Sequence, residues 1–386
     1  MNFRRLISLA VLGCMAFQAG PVAAQQAAAT KSKYDTLISG KKKEDGFGKG
    51  MWKLHYSEQQ LLVELPKSAL GKEYMVLTSI ARGISSGMVI GGMTWGFGDD
   101  IIWTFKQSGE KLFVIQRNVR YRAKEGSPES KAVELAYSDS ILYALPILTT
   151  APDGSLLVDM TRIFMSDDMG IGGAIGSGFS FQSDRSTWAK VVGFPSNIEL
   201  EVAAVYGGRG AVETVPDSRG VQVNVHYSIS ELPKVGSNGY KPREADDRIG
   251  YFLTVIKDFS DKAEDEHFVR YINRWNLQKR DSSADLSPAK EPIIFYIEKT
   301  VPVALRPTVE AGILEWNKAF EKIGFAGAIQ VRHEEDVENQ LGVDIDPEDV
   351  RFNFFRWITA DAGFAMGPSR VDPRSGQIMD ADIIFD

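Results

Sequence analysis

From residue 51 the chain alternates between apolar and polar positions. Trp52, Leu54 and Tyr56 are separated by polar residues, Ser57-Glu58-Gln59-Gln60 supplies a turn, and Leu61, Val63 and Leu65 resume the period of two. That period predicts a hairpin of half-buried strands. A second hairpin is predicted over 101–107 and 111–118, joined by Ser108-Gly109-Glu110. Further β-type runs cover 198–206, 221–229 and 251–259. Strands this frequent, separated by Gly, Asp, Asn and Ser, predict a mainly β region over 51–280. Two glycine-rich stretches with few charges, 81–100 and 168–180, interrupt it. The second holds Gly170, Gly172, Gly173 and Gly176 but lacks the third glycine of a dinucleotide fingerprint, so it reads as a mobile loop.

A polar segment over 281–291, with Pro288 near its end, predicts a linker and a domain boundary. Beyond it the pattern changes. Residues 293–298 form a short apolar strand. Arg306-Pro307-Thr308 then opens a helix in which Val309, Ile313, Trp316, Phe320 and Ile323 recur every three or four residues until Gly324. Strands are predicted at 328–332, 350–358, 364–370 and 377–386, with a strong turn at Asp372-Pro373-Arg374-Ser375-Gly376. The overall expectation is α+β: a mostly β N-terminal region, then a strand–helix–mixed-sheet unit over 292–386. The last apolar strand is interrupted by the chain end, which reads as an incomplete domain.

The first 24 residues are different material. Arg4 and Arg5 precede an apolar run from Leu6 to Phe17, and Val22-Ala23-Ala24 supplies small residues for a cleavage site. This predicts a signal peptide and an exported protein, periplasmic or secreted, with a polar leader over 25–50. Cys14, the only cysteine, lies inside that signal. Lipid anchoring there is the minor alternative; otherwise the mature chain has no thiol for disulfides, metal ligation or nucleophilic attack. No later apolar run is long enough to span a membrane. With 44 Lys and Arg against 51 Asp and Glu, net −7, no basic excess exists to track nucleic-acid phosphates.

Candidate chemistry is sparse. The four histidines are His55, His226, His267 and His333. His333-Glu334 begins like a zinc-hydrolase motif, but position 337 is Val where the second ligand belongs. His55, His226 and His267 read as partly exposed structural residues. The acidic run Asp344, Asp346, Glu348, Asp349 lacks the pattern of a calcium loop and reads as solvated. Asp246 and Arg248 read as a structural ion pair. There is no Gly-x-Ser-x-Gly elbow, and spacing alone identifies no catalytic site.

Five strings in order are nevertheless distinctive: Asp246-Asp247-Arg248-Ile249-Gly250-Tyr251-Phe252, Ile272-Asn273-Arg274-Trp275-Asn276-Leu277-Gln278-Lys279, Glu315-Trp316-Asn317-Lys318-Ala319-Phe320-Glu321-Lys322-Ile323-Gly324-Phe325, Arg351-Phe352-Asn353-Phe354-Phe355-Arg356-Trp357, and Gly367-Pro368-Ser369-Arg370-Val371-Asp372-Pro373-Arg374-Ser375-Gly376-Gln377-Ile378. Together they resemble a family of secreted bacterial zinc-dependent metalloproteases of the metzincin type, in which a β-rich region precedes the peptidase domain. The resemblance covers nearly everything after residue 30. It implies that 292–386 is the start of a metzincin-like domain: a strand, a backing helix and a twisted five-strand sheet. The His-Glu-x-x-His-x-x-Gly-x-x-His helix that would follow has no counterpart here, so no metal or catalytic residue carries over. For the complete protein the resemblance implies zinc, peptide-bond hydrolysis, a peptide or protein substrate, and packing of the β-rich region on the peptidase domain; this chain alone is expected to be inactive and to bind no zinc. The antiparallel edge strand over 364–370 would pair with an extended substrate through main-chain groups of Ala365, Met366 and Gly367. The competing expectation is a non-catalytic exported β-rich binding protein carrying a degenerate peptidase remnant.

Overall fold

The computed structural model describes residues 31–386 other than 97–100, 261–265, 342–344, 346, 348, 360–362, 364 and 368. The signal-like segment 1–24, with Cys14, lies outside them, as do Phe364 and Pro368 of the expected edge strand. The chain is α+β, mostly β with a few short helices.

Among the described residues, thirteen strands form one antiparallel sheet. Its main path runs Lys42–Glu44, Lys53–Tyr56, Leu61–Leu65, Leu156–Asp159, Ser140–Thr150, Lys111–Gln116, Ile101–Ser108, Glu73–Arg82, Val221–Glu231, Asn197–Gly207, with Thr187–Gly193 beside the last. The sheet curls until its two ends meet. Trp188 donates its backbone N–H to Glu58 at 3.2 Å and Met51 to Phe194 at 2.7 Å. Gly46 sits at this seam with φ +56°, and a β-carbon there would lie 2.6 Å from the Gly193 carbonyl oxygen, so only glycine fits.

Alternation explains what fills the interior. Ile198, Leu200, Val202, Ala204 and Tyr206 point into one core, while Asn197 and Glu199 take the opposite face and are also buried. Trp52, Tyr74 and Phe105 meet in that core with ring centroids 5.2–5.5 Å apart. Each such buried side chain is worth about 1.5–3 kcal/mol relative to exposure.

Residues 292–386 build a second unit. Its five-stranded sheet runs Ile329–His333, Ile293–Ile297, Asn353–Trp357, Ile383–Phe385, Ala365–Met366. The first four strands are parallel and the last is antiparallel. Ile293, Phe295 and Ile297 face the helix Arg306–Leu314, while Tyr296 and Phe354 pack with Val337 and Ile345 on the other side.

Several expectations change in detail. The helix expected from 306 to 323 divides into Arg306–Leu314 and Asn317–Lys322, because Trp316 and Lys318 make tighter three-residue bonds to Ile313 and Glu315. Gly324 ends it at φ +92°, where a β-carbon would strike the Asp285 carbonyl. The expected strands 364–370 and 377–386 each split in two. Ser369–Asp372 and Gln377–Ala381 form a separate hairpin that pairs with Arg274–Trp275. The break comes at Asp382, whose carboxylate takes the Phe354 N–H at 2.8 Å instead of continuing a ladder.

The segment 281–291 does not run free. Ser287–Pro288 pairs with Phe325–Ala326, and Arg280 and Lys290 bond across it to Pro288 and Gln278. The described part of the polar leader is likewise folded. Ser32 and Asp35 cap a helix Lys33–Ile38, and Tyr34 bonds to buried Glu64. The glycine-rich 168–180 stretch holds a short helix, Ile171–Ile175.

Candidate functional site

The strand Ala365–Met366 lies at the end of the five-stranded sheet, where Ala365 pairs with Phe385 and Met366 with Ile384. Among the described residues no strand pairs with its outer rim. Gly367 follows it and is exposed, so the three expected binding residues sit together on an open antiparallel edge.

Beside this edge the sheet carries an apolar recess of about 780 Å³. Its walls come from Val309, Ile313 and Trp316 of the helical segment and Phe355, Trp357 and Phe385 of the sheet. Phe385 stacks on Trp357 with centroids 5.2 Å apart. Trp316 remains 65% exposed and Phe385 40%. Large rings left open in this way mark a surface that another apolar element can cover. The recess lies on the face of the sheet that also receives the helix Arg306–Leu314.

The β-rich unit meets the Ile384 end of the opposite face and the separate hairpin beside it. Arg374 Nη1 reaches Glu73 at 2.5 Å, Asn238 Nδ2 donates to Gln377 Oε1 at 3.0 Å, and Gly92 packs beside Ile384. A cavity of about 440 Å³ remains between the two, lined by Ser79, Arg82 and His226 from one side and Arg356, Arg370 and Asp380 from the other. Burial pushes the Asp380 and Asp382 carboxyls above their ordinary range, against the pull of Arg370. Burial also raises Glu199, with His226, Arg370 and Ser228 opposing it.

The histidines are not where their sequence context suggested. His55 and His226 are 3% and 4% exposed, not partly exposed. Each ring Nε2 lies 2.6 Å from a buried glutamate, Glu64 and Glu199 respectively. The missed signal was the glutamate itself: Glu64 and Glu199 occupy strand positions whose neighbours are all apolar or buried. His267 lies beside Phe259, and His333 Nε2 is 3.5 Å from Glu310. Asp246 and Arg248 form their ion pair at 2.5 Å. In the acidic run, Asp349 is buried and holds Arg351, while Asp344, Asp346 and Glu348 lie outside the described residues. Among the described residues no three His, Asp or Glu side chains converge as a metal site requires. The zinc that the resemblance implies is not assigned to any described residue.

Residues 97–280 match the family described as Domain of unknown function (DUF5117), and residues 31–83 match that described as Domain of unknown function (DUF5118). No curated protein and no solved structure matches the chain. Among the described residues no helix is long and apolar enough to cross a membrane.

Proposed function

We propose that this chain is the N-terminal portion of an exported zinc-dependent metallopeptidase of the metzincin type. In this reading residues 292–386 supply the sheet, the backing helix and the substrate-pairing edge of the catalytic domain. The β-rich unit braces the sheet from the face away from the backing helix. The observation that carries the reading is the five-stranded sheet: four parallel strands, a fourth-in-sequence strand turned antiparallel at the rim, and an apolar recess beside the backing helix. That recess is what a second long helix would cover, and the resemblance places the zinc ligands on such a helix.

The roles of this chain's own residues follow. Ala365, Met366 and Gly367 would hold an extended peptide by main-chain hydrogen bonds, which read backbone shape and not sequence. Phe355, Trp357 and Phe385 would seat the covering helix by apolar contact. Zinc, when bound by residues beyond those described, would polarise the scissile carbonyl and activate water.

The deciding experiment is to sequence the coding DNA past codon 386. An open frame encoding His-Glu-x-x-His supports the reading, and zinc-dependent proteolysis is then assayed on the full product. A stop directly after codon 386 overturns it.

A further inference from the structure

Ser79, His226 and Glu199 form a continuous chain on three neighbouring strands. His226 is the cross-strand partner of Ser79, and Glu199 that of Ser228. Ser79 Oγ lies 3.0 Å from His226 Nδ1, and His226 Nε2 lies 2.6 Å from Glu199 Oε2. The far end of the array is fixed. Glu199 Oε1 accepts from Ser228 Oγ at 2.7 Å and from the Asn197 amide. The tautomer that the mechanism requires carries its proton on Nε2, toward Glu199, and turns the Nδ1 lone pair to Ser79. The near end is open: Ser79 is half-buried and lines the 440 Å³ cavity between the units. A β-bulge at Ala81 interrupts the ladder two residues from Ser79, a device common beside reactive side chains. Arg82 and Arg370 line the same cavity.

We propose that Ser79, His226 and Glu199 constitute a hydrolytic triad for small carboxylic esters, separate from the peptidase reading and independent of it. Ser79 Oγ attacks the ester carbonyl carbon as its proton passes to His226 Nδ1. The bond from the carbonyl carbon to the alcohol oxygen then breaks, and the alcohol leaves with that proton. Water repeats the sequence on the acyl-Ser79 ester, releasing the carboxylic acid and restoring the hydroxyl. Arg82 and Arg370, the latter paired with Asp380 at 3.2 Å, line the cavity that would receive the ester. Ser79 and His226 are the catalytic residues; Glu199 is a positioning residue acting through the imidazole.

The test uses the whole chain in EDTA, which removes any metal-dependent hydrolysis. The folded protein is treated with p-nitrophenyl acetate and, separately, with a fluorophosphonate. The expected results are a phosphonyl adduct on Ser79 by peptide mass mapping and a loss of esterase rate on the order of 100-fold in Ser79→Ala. Glu199→Gln should lower kcat and leave KM unchanged. Absence of an adduct on Ser79 in protein that melts cooperatively overturns the proposal. So does a Ser79→Ala protein that hydrolyses the ester as fast as the parent. Ser79→Ala alters a half-buried hydroxyl at the cavity wall, so its melting transition should match the parent's and keep the comparison valid.

Discussion

Arg374, at the tip of the hairpin between Ser369–Asp372 and Gln377–Ala381, holds Glu73 at 2.5 Å across 301 positions of chain. Its second terminal nitrogen donates to the Pro233 carbonyl and to the Asp372 carboxylate, both at 2.7 Å. One guanidinium thus ties the C-terminal unit to two separate parts of the β-rich unit.

Arg374→Ala should destabilise the protein by about 3 kcal/mol, because Asp372, almost wholly buried, would lose its counter-ion. Urea titration followed by tryptophan fluorescence measures this. An unchanged midpoint would show that the pair contributes nothing net.

The carboxyls between the units set a pH dependence. Burial raises Asp380 above its ordinary value of 3.8, and Arg370 does not fully offset it. The folded protein therefore holds a proton that the unfolded chain has already released, and stability falls as pH climbs above 3.8 towards the folded value. Asp380→Asn should flatten that decline. Urea midpoints taken from pH 4 to pH 7 decide it, and an equal or steeper decline in the variant contradicts the assignment.

Glu64 behaves in the opposite sense. Burial alone would raise it, but hydrogen bonds from His55 and Tyr34 and the Lys53 ammonium hold it below its ordinary 4.5. Its contribution is present at neutrality and lost as pH falls below 4.5 through the folded value. Tyr34→Phe removes one donor to this buried carboxylate and should cost about 1–2 kcal/mol at pH 7. A calorimetric melt identical to the parent's would show that the Tyr34–Glu64 bond adds nothing net.

If the edge strand receives extended peptides, amide exchange at Ala365, Met366 and Gly367 should slow when a saturating unstructured peptide is added. The amides of Leu61–Leu65, already paired on both sides, should not respond. Uniform exchange with and without peptide would remove these residues from the binding role.

Period-two alternation was a sound guide where one face met the core, as at Trp52 and Leu54. It said less where both faces are covered. In Leu61–Leu65 every residue is buried, so Glu64 looks like a solvent position until His55 and Tyr34 are found on it. The strand Ser140–Thr150 escaped notice because its outward residues Ile141 and Leu142 are apolar yet exposed, which blurs the alternation. The helix Pro128–Ala136 was not among the expected elements, although Ser127 at its cap and Pro128 at its first position are the signals for it. The splitting of 377–386 at Asp382 was not legible, since it depends on the Phe354 N–H from a strand far earlier in the chain. An edge strand was expected over 364–370, and the structure has one at Ala365–Met366, while Ser369–Asp372 turns into the separate hairpin. The Ser79–His226–Glu199 array was not, because its members are 147 and 27 residues apart and meet only through strand register.

The seam that joins Met51 to Phe194 and Glu58 to Trp188 has a kinetic consequence. The first hairpin is complete early in synthesis, but Leu156–Asp159, which pairs with its Leu61–Leu65 rim, comes much later, and Trp188 and Phe194, which close the ring, come more than a hundred residues after it. Until then its open ladder is a template for pairing with other chains. Closure over so long a loop makes this a slow-folding topology, and one that depends on the nascent chain being shielded from aggregation before the ring shuts.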